Sequence, residues 1–115
     1  MKYYHITRNE KEVIQSILEH GLSSDEGEIF FFENKSIIAN GVTNCVSCLI
    51  AGRQLFFDEY AMFEIDAEGL GEIVPDEAAE LTKGTTWIAK QTEINPEHIN
   101  FFGAYKTEIN DWSLI

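Results

Sequence analysis

Of the residues that could do chemistry in this 115-residue chain, His5 has the most ordered surroundings. It stands in Lys2-Tyr3-Tyr4-His5-Ile6-Thr7, an aromatic and β-branched run that reads as a strand. A histidine on a strand is by itself an ordinary structural residue. Glu64 and Asp66 occupy alternate positions of Tyr60–Asp66, which places two carboxylates about 7 Å apart on one strand face. Two such groups couple if both enter a cleft, and otherwise form a solvated sheet face. Cys45-Val46-Ser47-Cys48 offers two thiolates, half of what a structural zinc requires. His5, His20 and His98 add no ligand spacing, and the cysteine pair falls within an apolar helical stretch. These cysteines read as reduced core residues, and no metal site is expected. HExxH, DxDxDG and Walker patterns are absent, and no nucleophile elbow surrounds a serine.

Composition narrows the field. The chain is 44% hydrophobic and 24% charged, the balance of a folded domain, so residues 1–115 read as a single unit. No apolar run approaches the ~18 residues of a membrane span. Met1–His5 lacks the hydrophobic region of a signal peptide, so a cytoplasmic protein without membrane contact is expected. Twenty acidic against eight basic residues give a net charge of -12. Such a surface repels phosphate, which argues against binding a nucleic-acid backbone directly. It suits a soluble acidic protein, or one that engages a basic protein partner in competition with nucleic acid.

The elements that must position these residues follow from periodicity. After the first strand, Val13, Ile14, Ile17 and Leu18 recur at helical spacing. Thr7 or Asn9 is placed to cap that helix, Glu10 and Glu12 suit its positive end, and Gly21 stops it. Glu28–Phe32 is apolar on both faces and belongs inside a covered sheet. A second helix is expected over Val42–Ala51. Leu55–Asp66 reads as strand with a bend at Asp58-Glu59, with Ala61, Phe63 and Ile65 on one face. Gly69-Leu70-Gly71 is a turn, Glu72–Val74 a short strand ended by Pro75, and Asp76–Leu81 one or two helical turns. Thr85–Gln91 and Ile99–Tyr105 complete the strands. Phe56-Phe57 and Phe101-Phe102 read as core in preference to a dimer surface. Two helices in the N-terminal half with five or six scattered strands indicate an α+β fold.

Tyr4-His5-Ile6-Thr7, then Ile14, Ile17-Leu18 and His20-Gly21-Leu22, resembles the opening of ADP-ribosyltransferase-like domains. That superfamily includes NAD-consuming toxins, RNA 2'-phosphotransferases and small phage proteins. Phe63-Glu64-Ile65-Asp66 with Leu70 resembles its middle strand, and Ile94-Asn95-Pro96-Glu97-His98-Ile99 the turn after its late strand. The resemblance implies a split, strongly bent sheet whose cleft holds the nicotinamide end of NAD. By position His5 would contact the nicotinamide ribose, the backbone of Ile6 and Thr7 would hold the carboxamide, and Phe30 or Phe32 would pack on the ring. The glutamate that many members carry on the late strand falls here near Thr85, Thr86 or Trp87, none of them acidic. Glu93, on the same expected strand as Gln91, or Glu64 would then supply the charge that stabilises a cationic transition state.

The resemblance therefore implies a small NAD-binding domain that transfers ADP-ribose to a protein or nucleic acid. The alternative is a non-enzymatic acidic inhibitor on the same scaffold, such as a phage counter-defence protein binding a basic, nucleic-acid-binding host partner. RNA 2'-phosphotransfer fits poorly, since phosphate-holding arginines are limited to Arg8 and Arg53.

Overall fold

The computed structural model describes residues 2–33, 59–76, 86–106 and 111–113. Its first strand, β1 (Lys2–Arg8), turns at Asn9-Glu10 into helix α1 (Lys11–His20). Thr7 and Asn9 do not cap this helix, contrary to the sequence expectation. Glu10 holds the N-cap position in extended conformation with no side-chain capping bond, and its carbonyl accepts from Ile14 N–H at 3.0 Å. The reason is that Asn9 is still tied to the sheet, its N–H donating to the Glu59 carbonyl at 3.1 Å. Gly21 ends α1 as expected, with φ 84 and its N–H on the Ile17 carbonyl.

The chain continues through β2 (Leu22–Ser23), β3 (Ile29–Glu33), β4 (Glu59–Asp66) and β5 (Ile73–Pro75). Then come β6 (Thr86–Ala89), β7 (Glu93–Ile94), β8 (Ile99–Lys106) and β9 (Asp111–Ser113). Single turns of 3-10 helix at Ala67–Gly69 and Pro96–His98 follow β4 and β7. Seven strands form one sheet in the order β5-β6-β3-β1-β4-β8-β9, and β2 pairs with β7 as a separate ribbon. Every pairing is antiparallel. With one described helix, this is an α+β fold.

Strand alternation divides the sheet into two faces. On the first, Tyr3, Phe31, Phe63, Ile65 and Ile99 join Ile17 of α1, Leu22 of β2 and Ile94 of β7 in one core. The helix and the small ribbon thus cover this face. On the second, Tyr4, Phe32 and Met62 are also buried, and the Tyr4 ring lies 6.0 Å from Phe32. Phe31 and Phe32, adjacent in sequence and both buried, bear out a strand inside a covered sheet. Ala61, Phe63 and Ile65 share a fully buried face, with Glu64 and Asp66 on the other, as the sequence indicates.

A bulge in β8 redirects one pair of aromatics. Met62 lies opposite Gly103 but Phe63 lies opposite Phe101, so Phe102 is the extra residue. Phe101 meets Phe63 at 5.6 Å on the first face, and Phe102 meets Tyr4 at 5.2 Å on the second. Both are only half-buried.

The central ladder is unequal on its two sides. β1 pairs with β4 along its length, from Lys2 opposite Asp66 to Arg8 opposite Tyr60. With β3 it pairs at Tyr3·Glu33 and Tyr4·Phe32, and the ladder stops before His5. From there β3 continues with β6, to Ile29 opposite Ala89. The β1–β3 ladder therefore ends short of His5, within one continuous seven-stranded sheet.

Other expectations shift at their edges. Pro75 is inside β5 rather than after it, and the expected strand over Thr85–Gln91 is Thr86–Ala89. The two-residue ribbon strands and β9 had no sequence counterpart. The second helix over Val42–Ala51, with Cys45 and Cys48, lies outside the described residues, as do Phe56-Phe57 and 77–81. Among the described residues no helix is long and apolar enough to cross a membrane.

Gly21 carries the geometry that seats α1 on the ribbon. Its ψ of -169 with φ 84 is a conformation open to glycine, and a Cβ there would overlap the Ile94 carbonyl oxygen. Gly27 also has positive φ, 71, but has open space around it. Gly21→Ala is expected to destabilise the fold by about 2–4 kcal/mol, lowering Tm by roughly 10 °C. Gly27→Ala should cost about 1 kcal/mol. Thermal unfolding of both variants measures the difference, and equal losses would contradict the packing described.

Candidate functional site

A cleft of about 460 Å³ lies beside the end of that ladder, between β1, α1 and β2. Val13, Ile17 and Leu22 give it apolar walls, and Gly21 stands at its edge. Its polar side chains are His5 and Thr7 from β1, Glu12 and Ser16 from α1, and Ser23 from β2.

These positions follow from local structure. His5 and Thr7 alternate on the strand face that α1 covers, while Ile6 between them is buried on the opposite face. Glu12 and Ser16 are four residues apart and project from the same side of α1, next to the apolar pair Val13 and Ile17. Ser23 is carried to the cleft by the ribbon, where it pairs with Glu93.

His5 is half-buried, and its Nδ1 lies 2.6 Å from the Phe30 carbonyl oxygen. A carbonyl can only accept, so Nδ1 carries the hydrogen. In the neutral ring Nε2 then has the acceptor role, and the short bond sets the orientation of the imidazole. This contact crosses the gap where β1 and β3 no longer pair. Thr7 Oγ1 donates to the Arg8 carbonyl at 3.2 Å.

The structure brings His5 and Thr7 together at one cleft, with the Ile6 backbone between them. Phe30 contributes its carbonyl rather than its ring. By alternation, Phe30 and Phe32 lie on the Tyr4 face, and Phe32 is fully buried there. Phe31 is the aromatic of this strand on the His5 face, and it packs edge-on against Tyr3 at 4.9 Å. Glu64 is on the face opposite His5, where Tyr4 Oη donates to its Oε2 at 3.4 Å. It shares no face with the cleft.

Glu93 is exposed and pairs with Ser23, which lines the cleft, but is not itself one of the lining residues. It does not share a strand with Gln91, as the sequence pattern suggested, because β6 ends at Ala89. Gln91 makes the turn between them. Its Nε2 donates to the Gly69 and Glu93 carbonyls at 3.1 and 2.8 Å, and its Oε1 accepts from Gly71 N–H at 2.9 Å.

Sequence reasoning missed Glu12, Ser16 and Ser23 as cleft residues. For Glu12 and Ser16 the signal was present: their spacing of four places them beside the apolar stripe, on the side that follows His5 and Thr7. Ser23 carried none, since a two-residue strand has no periodicity. Among the described residues, no group of three or more His, Cys, Asp or Glu side chains could hold a metal ion.

No protein-family model, curated protein or solved structure matches this chain.

Proposed function

We propose that the chain is an ADP-ribosyltransferase-like domain whose His5 cleft binds the nicotinamide-ribose end of NAD. The observation that carries the reading is the placement of His5. It stands where the β1–β3 ladder ends, its ring is oriented by the Phe30 carbonyl, and it faces a cleft rather than a filled core. The resemblance implies a split, strongly bent sheet whose central cleft holds the nicotinamide end of NAD, and a cleft beside the first-strand histidine supports that reading.

The lining suits that ligand end. Ribose hydroxyls and a carboxamide need donors and acceptors in close proximity, which His5, Thr7, Ser16, Ser23 and the backbone of β1 supply. The volume accommodates nicotinamide and its ribose, with the remainder of the dinucleotide outside. When NAD is bound, it supplies a glycosidic bond whose cleavage releases nicotinamide and leaves C1′ of the ribose open to a nucleophile of the target. Of the two sequence candidates, Glu93 is the better placed to take part, since it pairs with the lining residue Ser23 while Glu64 lies on the opposite sheet face.

Thermal unfolding with and without millimolar NAD tests the binding. A ligand present at 100 times its Kd stabilises the folded state by about 2.7 kcal/mol, a rise of several degrees in a domain of this size. The wild type is expected to show that rise and His5→Ala to lose it. No rise in the wild type, or an equal rise in the variant, would contradict the assignment.

A second reading, an acidic protein that binds a basic protein partner, is favoured by a different region. α1 and β8 enclose an apolar groove of about 600 Å³ at Ile14, Leu18 and Phe101. Leu18, on the apolar face of α1, is 41% exposed there. Glu19 borders the groove, and the net charge of -12 would draw a cationic partner toward it. Such a complex should lose roughly tenfold in affinity between about 0.05 and 0.5 M salt, measured by titration at each ionic strength. Salt-insensitive association would contradict this reading.

A further inference from the structure

We infer that the apolar groove between α1 and β8 is the contact surface of a homodimer, in which two copies of this chain pack antiparallel through α1. The inference does not depend on the NAD-binding reading. The helix residues that line the His5 cleft, Glu12 and Ser16, are not among those that line this groove.

Spacing along α1 sets the pattern of the groove. Residues four apart form rows on a helix surface, and two such rows are presented here. Lys11, Gln15 and Glu19 make one row, exposed along its length. Ile14 and Leu18 make the other, with Phe101 of β8 beside them. Leu18 stands exposed in that apolar row, although its neighbour in the sequence, Ile17, is buried.

The polar row matches a reversed copy of itself. Lys11 and Glu19 each lie four residues from Gln15, about 6 Å along the axis at the helical rise of ~1.5 Å per residue. A second α1 related by a twofold axis at Gln15 therefore sets Lys11 against Glu19 of the second copy, and Glu19 against its Lys11. The same rotation brings Ile14 toward Leu18 of the second copy, so that each apolar row covers the other. Glu19 is held in its row by Gln15, whose Nε2 donates to Glu19 Oε1 at 3.0 Å. Lys11 makes no ion pair among the described residues, which leaves its ammonium for the facing carboxylate.

Charge favours a second copy at close range. The groove itself carries one cation and one anion, whereas the whole chain has a net charge of -12. A cationic partner would meet Lys11 at this surface, while a second copy meets a matching set. At long range two copies repel through their net charge, and salt screens that repulsion. Self-association therefore strengthens with salt, the opposite of what a cationic partner would show. One helix face and one phenylalanine make a small interface, so a weak dimer is expected, with a Kd on the order of 100 µM.

Sedimentation equilibrium tests this, with the wild type and variants loaded from about 10 µM to about 1 mM. Each is run at about 0.05 and about 0.5 M salt. The wild type is expected to dimerise, more tightly at the higher salt, and Leu18→Asp to abolish association at both. Lys11→Glu and Glu19→Lys each turn two attractive pairs into repulsive ones, and each should weaken the dimer roughly tenfold. Mixed in equal amounts, these two variants carry complementary rows and should form a heterodimer of wild-type strength. All three substitutions fall at exposed positions, and circular dichroism with Tm checks that the variants fold. A wild type that stays monomeric to millimolar concentration at the higher salt would overturn the proposal. So would an association that Leu18→Asp leaves intact, or a mixture no tighter than its components. A monomeric wild type that binds an oligolysine peptide, with binding lost in Leu18→Asp, would also overturn it and give the groove to a cationic partner.

Discussion

A strand inside a sheet has to satisfy backbone donors and acceptors on both of its edges. β1 does so with β4 from Lys2 to Arg8, but with β3 its ladder ends at Tyr4·Phe32. The Phe30 carbonyl, beyond the end of that ladder, is met instead by the Nδ1 hydrogen of His5. This side-chain bond past the end of the ladder replaces part of what the ladder would have supplied. It also fixes which imidazole nitrogen is committed and which face of the ring meets the cleft. The rest of the candidate site depends on this one substitution.

The second requirement is a lid for the first sheet face that leaves the cleft accessible. The β2–β7 ribbon holds the C-terminal end of α1 at a fixed distance, with Gly21 packed against the Ile94 carbonyl. The ribbon is in turn anchored by Gln91, which ties the Gly69-Gly71 turn to Glu93. Gly69 sits against His98, where a Cβ would come within 2.6 Å of the His98 Cβ. Three short connections without much regular structure thus set the spacing between helix and sheet. The side chains that line the cleft, Glu12 and Ser16 above and His5 and Thr7 below, inherit that spacing.

Much of this was legible in the sequence, and what was not has physical causes. β1, β3, β4 and β8 have aromatic and β-branched runs, and the strand register puts Ala61, Phe63 and Ile65 on one face with Glu64 and Asp66 on the other, as the sequence indicates. Gly21 was recognisable as a helix stop. The N-cap was misread because the Asn9 N–H is used by Glu59, a contact 50 residues away that no local pattern reports. Leu18 was placed on the apolar face of α1 by helical spacing, yet it is 41% exposed. That spacing defines an arc of the helix but not where the sheet beneath it ends. Glu93 was placed on the wrong strand because the turn at Gln91 is built from side-chain bonds rather than from glycine or proline. Phe30 was read for its ring, whereas its carbonyl holds His5. A backbone atom's role has no signature in residue type. The resemblance that drew attention to His5 could not show its neighbours on α1, which tertiary packing alone assembles.

The state of the His5 ring bears on the account most directly. Long-range nitrogen–proton NMR correlation of the imidazole, recorded during titration with NAD, reports both the tautomer and the effect of ligand. The structure predicts that the neutral ring carries its hydrogen on Nδ1, and the proposed NAD-binding reading predicts that NAD shifts the Nε2 resonance while Nδ1 stays bonded to the Phe30 carbonyl. A ring protonated on Nε2, or an Nε2 resonance that NAD does not move, would contradict the account.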